Sequence, residues 1–319
     1  AFTTYNGSSA LRLIKLTHTG AIDASYDATT GLSNAANSIN KFNDGTLVIT
    51  GQSFTTYKGT TVNRIVGIES DGTIDASFDT GTGFNLFIDN SMIKNDVLYA
   101  YSSSTSLLTY KGSSGSRFVA IDRTGNRIAN FSLVGTGVPN YFSWDVDNLG
   151  RVYIAFISSD YQRVIIKRWL SNGKIDSSYL FDHALPELQT TNSGFANCTI
   201  AVNDSYECFV TALKETASGA YVLKAKSDGS LDTAFNTNQI EYSGTADQSL
   251  PTQIQIANNS IYICNRFSTS PTPITSALYN GDAISNVFRI NQNTGALDTG
   301  FNNTVIVNTP AVRRMSFKN

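Results

Sequence analysis

The sequence predicts an all-β repeat protein, a β-propeller of about six four-stranded blades. Three observations carry that prediction. A phrase made of Gly, an aliphatic residue, Asp and an aromatic recurs along the 319 residues. Between its copies lie β-branched and aromatic runs punctuated by Asn, Asp and Gly, the pattern of short strands joined by tight hairpins. Glu occurs only at positions 69, 187, 207, 215 and 241, and a chain that prefers Asp, Asn, Ser and Thr to Glu is built for turns rather than helices.

The phrase reads GAIDASY (20–26), GTIDASF (72–78), GKIDSSY (173–179), GSLDTAF (229–235) and GALDTGF (295–301), with its carboxylates at Asp23, Asp75, Asp176, Asp232 and Asp298. The interval from Asp75 to Asp176 is about double the first, and a degenerate copy fills it: GNRIANF (125–131), where Ile128 stands in the Asp position. A second phrase travels with the first as FTTYNG (2–7), FTTYKG (54–59), LLTYKG (107–112) and SALYNG (276–281). A third is a hairpin, as in FNDGTLVIT (42–50), KNDVLYAY (94–101), NLGRVYIAF (148–156), NDSYECFV (203–210) and NNSIYICN (258–265).

In the second repeat these parts assemble in order. AANSINKF (35–42) is an inner strand turned by NDG (43–45), and TLVITGQ (46–52) is the next strand. SFTTYKGTT (53–61) is a longer loop leading to a third strand, NRIVGIES (63–70), which a DG turn (71–72) joins to a fourth, TIDASF (73–78). Four antiparallel strands in roughly 50 residues are one propeller blade. The chain is accordingly expected to be a single domain, with units near 1–52, 53–104, 105–158, 159–213, 214–268 and 269–319.

An Asp that recurs once per blade reads as a cap. It follows a hairpin Gly, precedes an aromatic that can fill the gap between twisted blades, and can accept backbone N–H groups where a strand leaves the sheet. Catalysis instead needs dissimilar groups converging on one site. Tyr5, Tyr57, Tyr110 and Tyr279 recur in one inter-strand loop, and each is expected to pack over its own blade rather than form a sugar platform. Trp144, Tyr161, Trp169, Tyr179 and His183 lie where the repeat degrades and are the candidate binding surface.

These phrases together resemble the delta-60 repeats, an uncharacterised family of β-propeller repeats of bacterial surface proteins and tailed-phage structural proteins. The likeness is close in residues 1–84, moderate at 85–131 and 220–301, and poor through 132–219. It implies a fold and an extracellular or virion setting more than an activity.

The rest of the chain excludes more than it offers. A net charge of −2, with no Lys/Arg stripe, leaves no footprint for nucleic acid. No apolar run reaches a membrane span, so no membrane insertion is expected. No signal peptide is visible, and the start at Ala1 suggests a processed or partial chain. Cys198, Cys208 and Cys264 form no disulfide framework. Cys198 and Cys208 flank the turn VNDS (202–205), and all three read as small buried hydrophobes. Of the two histidines, His18 reads as an exposed turn residue, and His183 lacks a companion ligand. WDVDNLG (144–150) has two Asp but no distal carboxylate, so it reads as a turn rather than a calcium loop. Asp160, Asp182 and Glu187 cluster in the divergent segment and keep a paired-carboxylate glycosidase in view.

The expected function is therefore a non-catalytic structural or binding module without cofactor or metal. Its expected place is a phage tail or receptor-binding component, with a protein partner in a larger assembly, a cell-surface glycan, or both. A bacterial adhesin is the first alternative, and a propeller glycosidase or lactonase the second. The stretched segments 179–195 and 236–253 are expected to be surface loops that contribute to binding. VRRMSFKN (312–319) matches an inner strand, so the N- and C-terminal strands are expected to pair and close the ring, residues 8–16 and 21–26 sharing a sheet with residues near 305–316.

Overall fold

A computed structural model describes residues 2–26, 31–104, 106, 108–139, 142–185, 188, 198–214, 219–235, 238–243, 250–266 and 276–302. Among them regular structure is almost wholly β, with one four-residue helical turn at Thr299–Asn302. The chain divides into two compact units, residues 1–140 with 171–174, and residues 141–170 with 175–319.

The first unit shows how one repeat is made. Ala36–Lys41, Leu47–Gly51 and Ile65–Ile68 form an antiparallel meander, with Ile49 opposite Ile39 on one side and Val66 on the other. The next repeat, Asn90–Lys94, Val97–Tyr101, Phe118–Ile121 and Arg127–Phe131, is a full four-stranded meander. Middle strands are apolar on both faces because side chains alternate between two cores. Val48 and Ile65 join Phe78, Phe84, Leu98 and Val119 on one side. Ile49 and Val66 join Leu13, Tyr26, Phe54 and Tyr57 on the other.

The loop expected at 53–61 is ordered into an arm, the two-residue strands Thr56–Tyr57 and Thr60–Thr61. Arms of the same build stand at Thr4–Tyr5 with Ser8–Ser9, and at Thr109–Tyr110 with Ser113–Ser114. The expected fourth strand TIDASF is shortened to a single bridge, Ile68 to Ile74, and the same reduction holds at Leu16–Ile22, Ala225–Leu231 and Ile290–Leu297. In these copies the Asp that follows takes a backbone N–H two or three residues on with its carboxylate. Where Asp gives way to Ile128, the strand runs five residues.

The second unit holds Ser143–Val146, Val152–Ile157, Arg163–Trp169 and Ile175–Ala184 as one four-stranded sheet. Cys198–Val202, Cys208–Leu213, Gly219–Ala225 and Asn238–Ser243 continue into an arm, Ser276–Tyr279 with Asp282–Ala283, as a six-stranded sheet. Leu250–Ala257, Ser260–Arg266 and Val287–Asn291 form a third sheet. The Asp copy here stays inside a ten-residue strand, at the cost of a register shift between Lys167 and Trp169.

One expectation needs correction. The described parts of segments 179–195 and 236–253 are mostly strand, within Ile175–Ala184, Asn238–Ser243 and Leu250–Ala257, with Tyr179, Phe181, Ile240 and Tyr242 buried beside exposed neighbours, so these parts are not loops. Their remaining residues, and residues 305–316 of the expected closure, lie outside the described residues.

Candidate interaction surface

The recurring tyrosines are internal struts. Tyr57, Tyr110 and Tyr279 are buried and Tyr5 is half-buried. Each hydroxyl donates to the carbonyl of the hairpin glycine in its own repeat, at 2.7 Å for Tyr5–Gly20, Tyr57–Gly72 and Tyr279–Gly295, and 2.8 Å for Tyr110–Gly125. The arm is also stitched to the segment leaving the previous repeat. Leu32 bridges Tyr57 and Phe84 bridges Tyr110, while Arg12 and Arg64 donate to the carbonyls of Leu32 and Phe84 at 2.8 and 3.0 Å. The rings of Tyr57, Tyr110 and Tyr279 are therefore closed to a sugar. Tyr57→Phe is expected to lower stability by about 1–2 kcal/mol, the cost of leaving the Gly72 carbonyl buried and unmet. Urea denaturation checks this, and an unchanged midpoint would remove the strut.

The recurring Asp is both a cap and half of an ion pair. Asp23, Asp75 and Asp176 each accept from the backbone N–H and hydroxyl of the serine two residues on, and Asp232 and Asp298 accept from Ala234 and Phe301. A cation stands eight residues upstream in three copies and nine in a fourth. Lys15 lies 3.1 Å from Asp23, Arg168 2.7 Å from Asp176, Lys224 3.0 Å from Asp232 and Arg289 2.9 Å from Asp298. In the last three copies the cation also sits over the aromatic opposite it on the neighbouring strand (Tyr153, Phe209 and Tyr262), 5.7 Å from each ring centroid.

Two copies break this rule together. The second has Gly67 in the cation position, packed under Phe78, and Asp75 takes Arg123 from the third copy instead, at 2.6 Å. The third has lost both members, with Ala120 opposite Tyr99 and Ile128 half-exposed, so its Arg123 is free to reach back to Asp44, Thr46 and Asp75. Burial alone would raise the Asp75 pKa, but Ser77, Thr46 and Arg123 outweigh it and hold the group at about 2. Ser25 holds Asp23 at about 2 as well, with help from Lys15. Asp176 and Asp232 are also lowered against burial, by Ser178 with Arg168 and by Lys224. The Phe301 N–H, followed by Arg289, lowers Asp298. Sequence reasoning missed these cations because the phrase was read forward from its glycine.

The candidate surface does not hold as a group. Trp169 is fully buried, and Trp144 and Tyr179 are buried at 8% and 2% exposure. Trp169 fills the place of Ile68, Ile121 and Ile290, the last core position of the third strand, and Tyr179 is the aromatic of its own Asp phrase, edge-on to Tyr153. Tyr161 and His183 are half-exposed at one end of the sheet, where Arg163 binds Asp182 at 2.5 Å. Burial, then Arg163, lowers the His183 pKa.

The other sequence candidates are occupied. Asp160 accepts from Ser158 and from the Gln162 N–H, which lower its pKa. Glu187 lies outside the described residues. In WDVDNLG, Asp147 is buried and accepts from Leu149, Arg151 and Tyr153, so this is a turn spent on donors. The metal-ligand residues His, Cys, Asp and Glu form no group of three or more among the described residues. Cys198, Cys208 and Cys264 are buried, and burial pushes the Cys198 and Cys264 thiols up to about 12.

Residues 1–26 and 43–78 match a family model described as a domain of unknown function, DUF5122, beta-propeller. These two stretches are similar to β-propeller repeats. No curated protein matches the sequence. Solved structures similar to the chain include Kuenenia stuttgartiensis hydrazine synthase, with a TM-score of 0.49 and 8% identity over 80% of this chain and 66% of that one. The Neurospora crassa Pan2 WD40 domain gives 0.41 and 10% identity over 85% and 68%. An exo-beta-1,3-galactanase from Phanerochaete chrysosporium gives 0.39 and 11% over 89% and 68%. The chain thus spans just under two thirds of the hydrazine synthase chain, at 66%.

Proposed function

We propose that this chain is a non-catalytic structural and binding module, a tail-associated or receptor-binding component of a phage virion. Its partners would be a neighbouring protein of the particle, a cell-surface glycan, or both. The observation that carries the reading is the fate of the recurring polar groups. Every repeated Asp is spent on a turn and a cation, and every repeated Tyr on a glycine carbonyl, so repetition builds a scaffold and leaves recognition to the turns that differ between blades. The finer reading of the fold, delta-60-type repeats in six blades with the first completed by residues near 305–316, belongs to the same proposal. A bacterial surface adhesin would use the same chemistry in another setting.

A hydrolase is the competing class, and one experiment separates it. Purified protein is screened against chromogenic glycosides and esters, with and without a chelator, and in parallel for saturable binding to intact bacterial envelopes. The expected result is binding without turnover. Turnover that survives purification and is lost in Asp182→Ala or Glu187→Ala overturns the reading.

A further inference from the structure

We infer that the turn Ser158–Arg163, with Asp182 beside it, is a contact site for a neutral hexose of a surface glycan; this rests on the binding-module reading and names its site. The first ground is what this blade lacks. Between the second and third strands the repeats at 53–64 and 102–117 carry an arm whose tyrosine is buried. Here the arm is replaced by a tight turn, closed by Ser158 N–H to the Arg163 carbonyl and Tyr161 N–H to the Ser158 carbonyl, both at 2.9 Å. The third strand grows to seven residues, against four at Ile65–Ile68 and Phe118–Ile121.

The second ground is Tyr161 itself. It has φ +58°, in the left-handed region that suits Gly or Asn and strains an aromatic residue. The residue is half-buried, so part of it reaches solvent. Strain of this kind collects where a side chain is held for use.

The third ground is the company it keeps. Arg163 donates to Asp182 through Nε at 2.5 Å and reaches the Asp182 carbonyl at 3.4 Å. Asp160 and Gln162 are exposed on the same turn, and His183 follows Asp182 on the adjoining strand. A flat ring with a planar ion pair and an amide suits the two sides of a sugar, a C–H face for the ring and hydroxyls that both donate and accept. Two carboxylates against one guanidinium disfavour an anionic ligand.

The test uses oligosaccharides ending in galactose, glucose or mannose, with affinity and thermal stability read on wild type and Tyr161→Gly. At least one sugar is expected to bind wild type. Tyr161→Gly is expected to weaken that binding at least tenfold with Tm unchanged or raised, because glycine accepts the backbone angle. Binding of no probe, equal binding by Tyr161→Gly, or a lower Tm in that variant overturns the site. Envelope binding is followed in the same two proteins. If it persists in Tyr161→Gly, the site fails and the module stands; if wild type itself does not bind envelopes, the module reading fails.

Discussion

Gly125→Ala is expected to be the more damaging of two matched glycine substitutions, costing about 3 kcal/mol or more beyond Gly59→Ala. Both glycines sit in turns at positive φ, +83° and +81°, so both pay a similar backbone strain, about 1–2 kcal/mol for a side chain in the left-handed region. Their surroundings differ. A Cβ on Gly59 meets nothing within 4 Å, whereas on Gly125 it meets the Asp79 carbonyl oxygen at 2.0 Å and the carbonyl carbon at 2.7 Å. Neither is a flexible side-chain end. Asp79 is the residue after the previous repeat's aromatic Phe78, and its N–H donates to the Thr124 carbonyl at 3.2 Å. The turn of one repeat therefore rests directly on the backbone of the one before it, and a methyl group must push them apart. Thermal unfolding of the two variants should differ by on the order of 10 °C. Equal melting temperatures would mean that the repeats do not stack this closely.

That contact also shows where legibility ended. The hairpin glycine was readable as a turn residue, since a short connection between alternating runs demands it. Nothing local announces the second demand, because the clashing carbonyl comes from a different repeat. The cations tell the same story with a difference. Lys15, Arg168, Lys224 and Arg289 stand at a nearly constant distance before the Asp, so aligning copies backwards from the phrase would have found them. The replacement of that pair by Arg123 reaching back to Asp75 was not readable, because it depends on which turn lies over which strand.

The error over Trp144, Trp169 and Tyr179 came from judging rarity rather than position. Trp169 is rare as a residue type, yet it stands six residues before its phrase's Ile175, as Ile68 does before Ile74, and that place points into the core whatever fills it. Tyr161 escaped that rule because its turn has no counterpart among the arms. Its left-handed backbone became visible only with the hydrogen bonds that close the turn.

Asp75→Ala is expected to cost about 2–3 kcal/mol, while Asp23→Ala costs far less, although both carboxylates occupy the same place in the repeat. Asp75 is 3% exposed and accepts from the Ser77 N–H and hydroxyl, from Thr46 and from Arg123. Its removal leaves the Thr46 hydroxyl and the inner side of the Arg123 guanidinium without their acceptor. Arg123 keeps Asp44 and is itself a quarter exposed, so the loss belongs at or below the low end for breaking a buried pair. Asp23 is a quarter exposed and its Lys15 partner more so, so solvent can replace Lys15 and Ser25 there. Asp75→Asn should fall between, since an amide oxygen can still accept from Ser77 but no longer offers Arg123 a charge. The effect must depend on pH in one direction. The Asp75 pKa is held at about 2, below its ordinary 3.8, so its stabilisation is complete above pH 4 and drains away as pH falls toward 2. Denaturant titrations of wild type and Asp75→Ala should therefore be widest apart near neutrality and converge in acid. A gap that stayed constant from pH 7 to pH 2 would show that Asp75 acts through shape alone and that Arg123 does not lock the second repeat to the third.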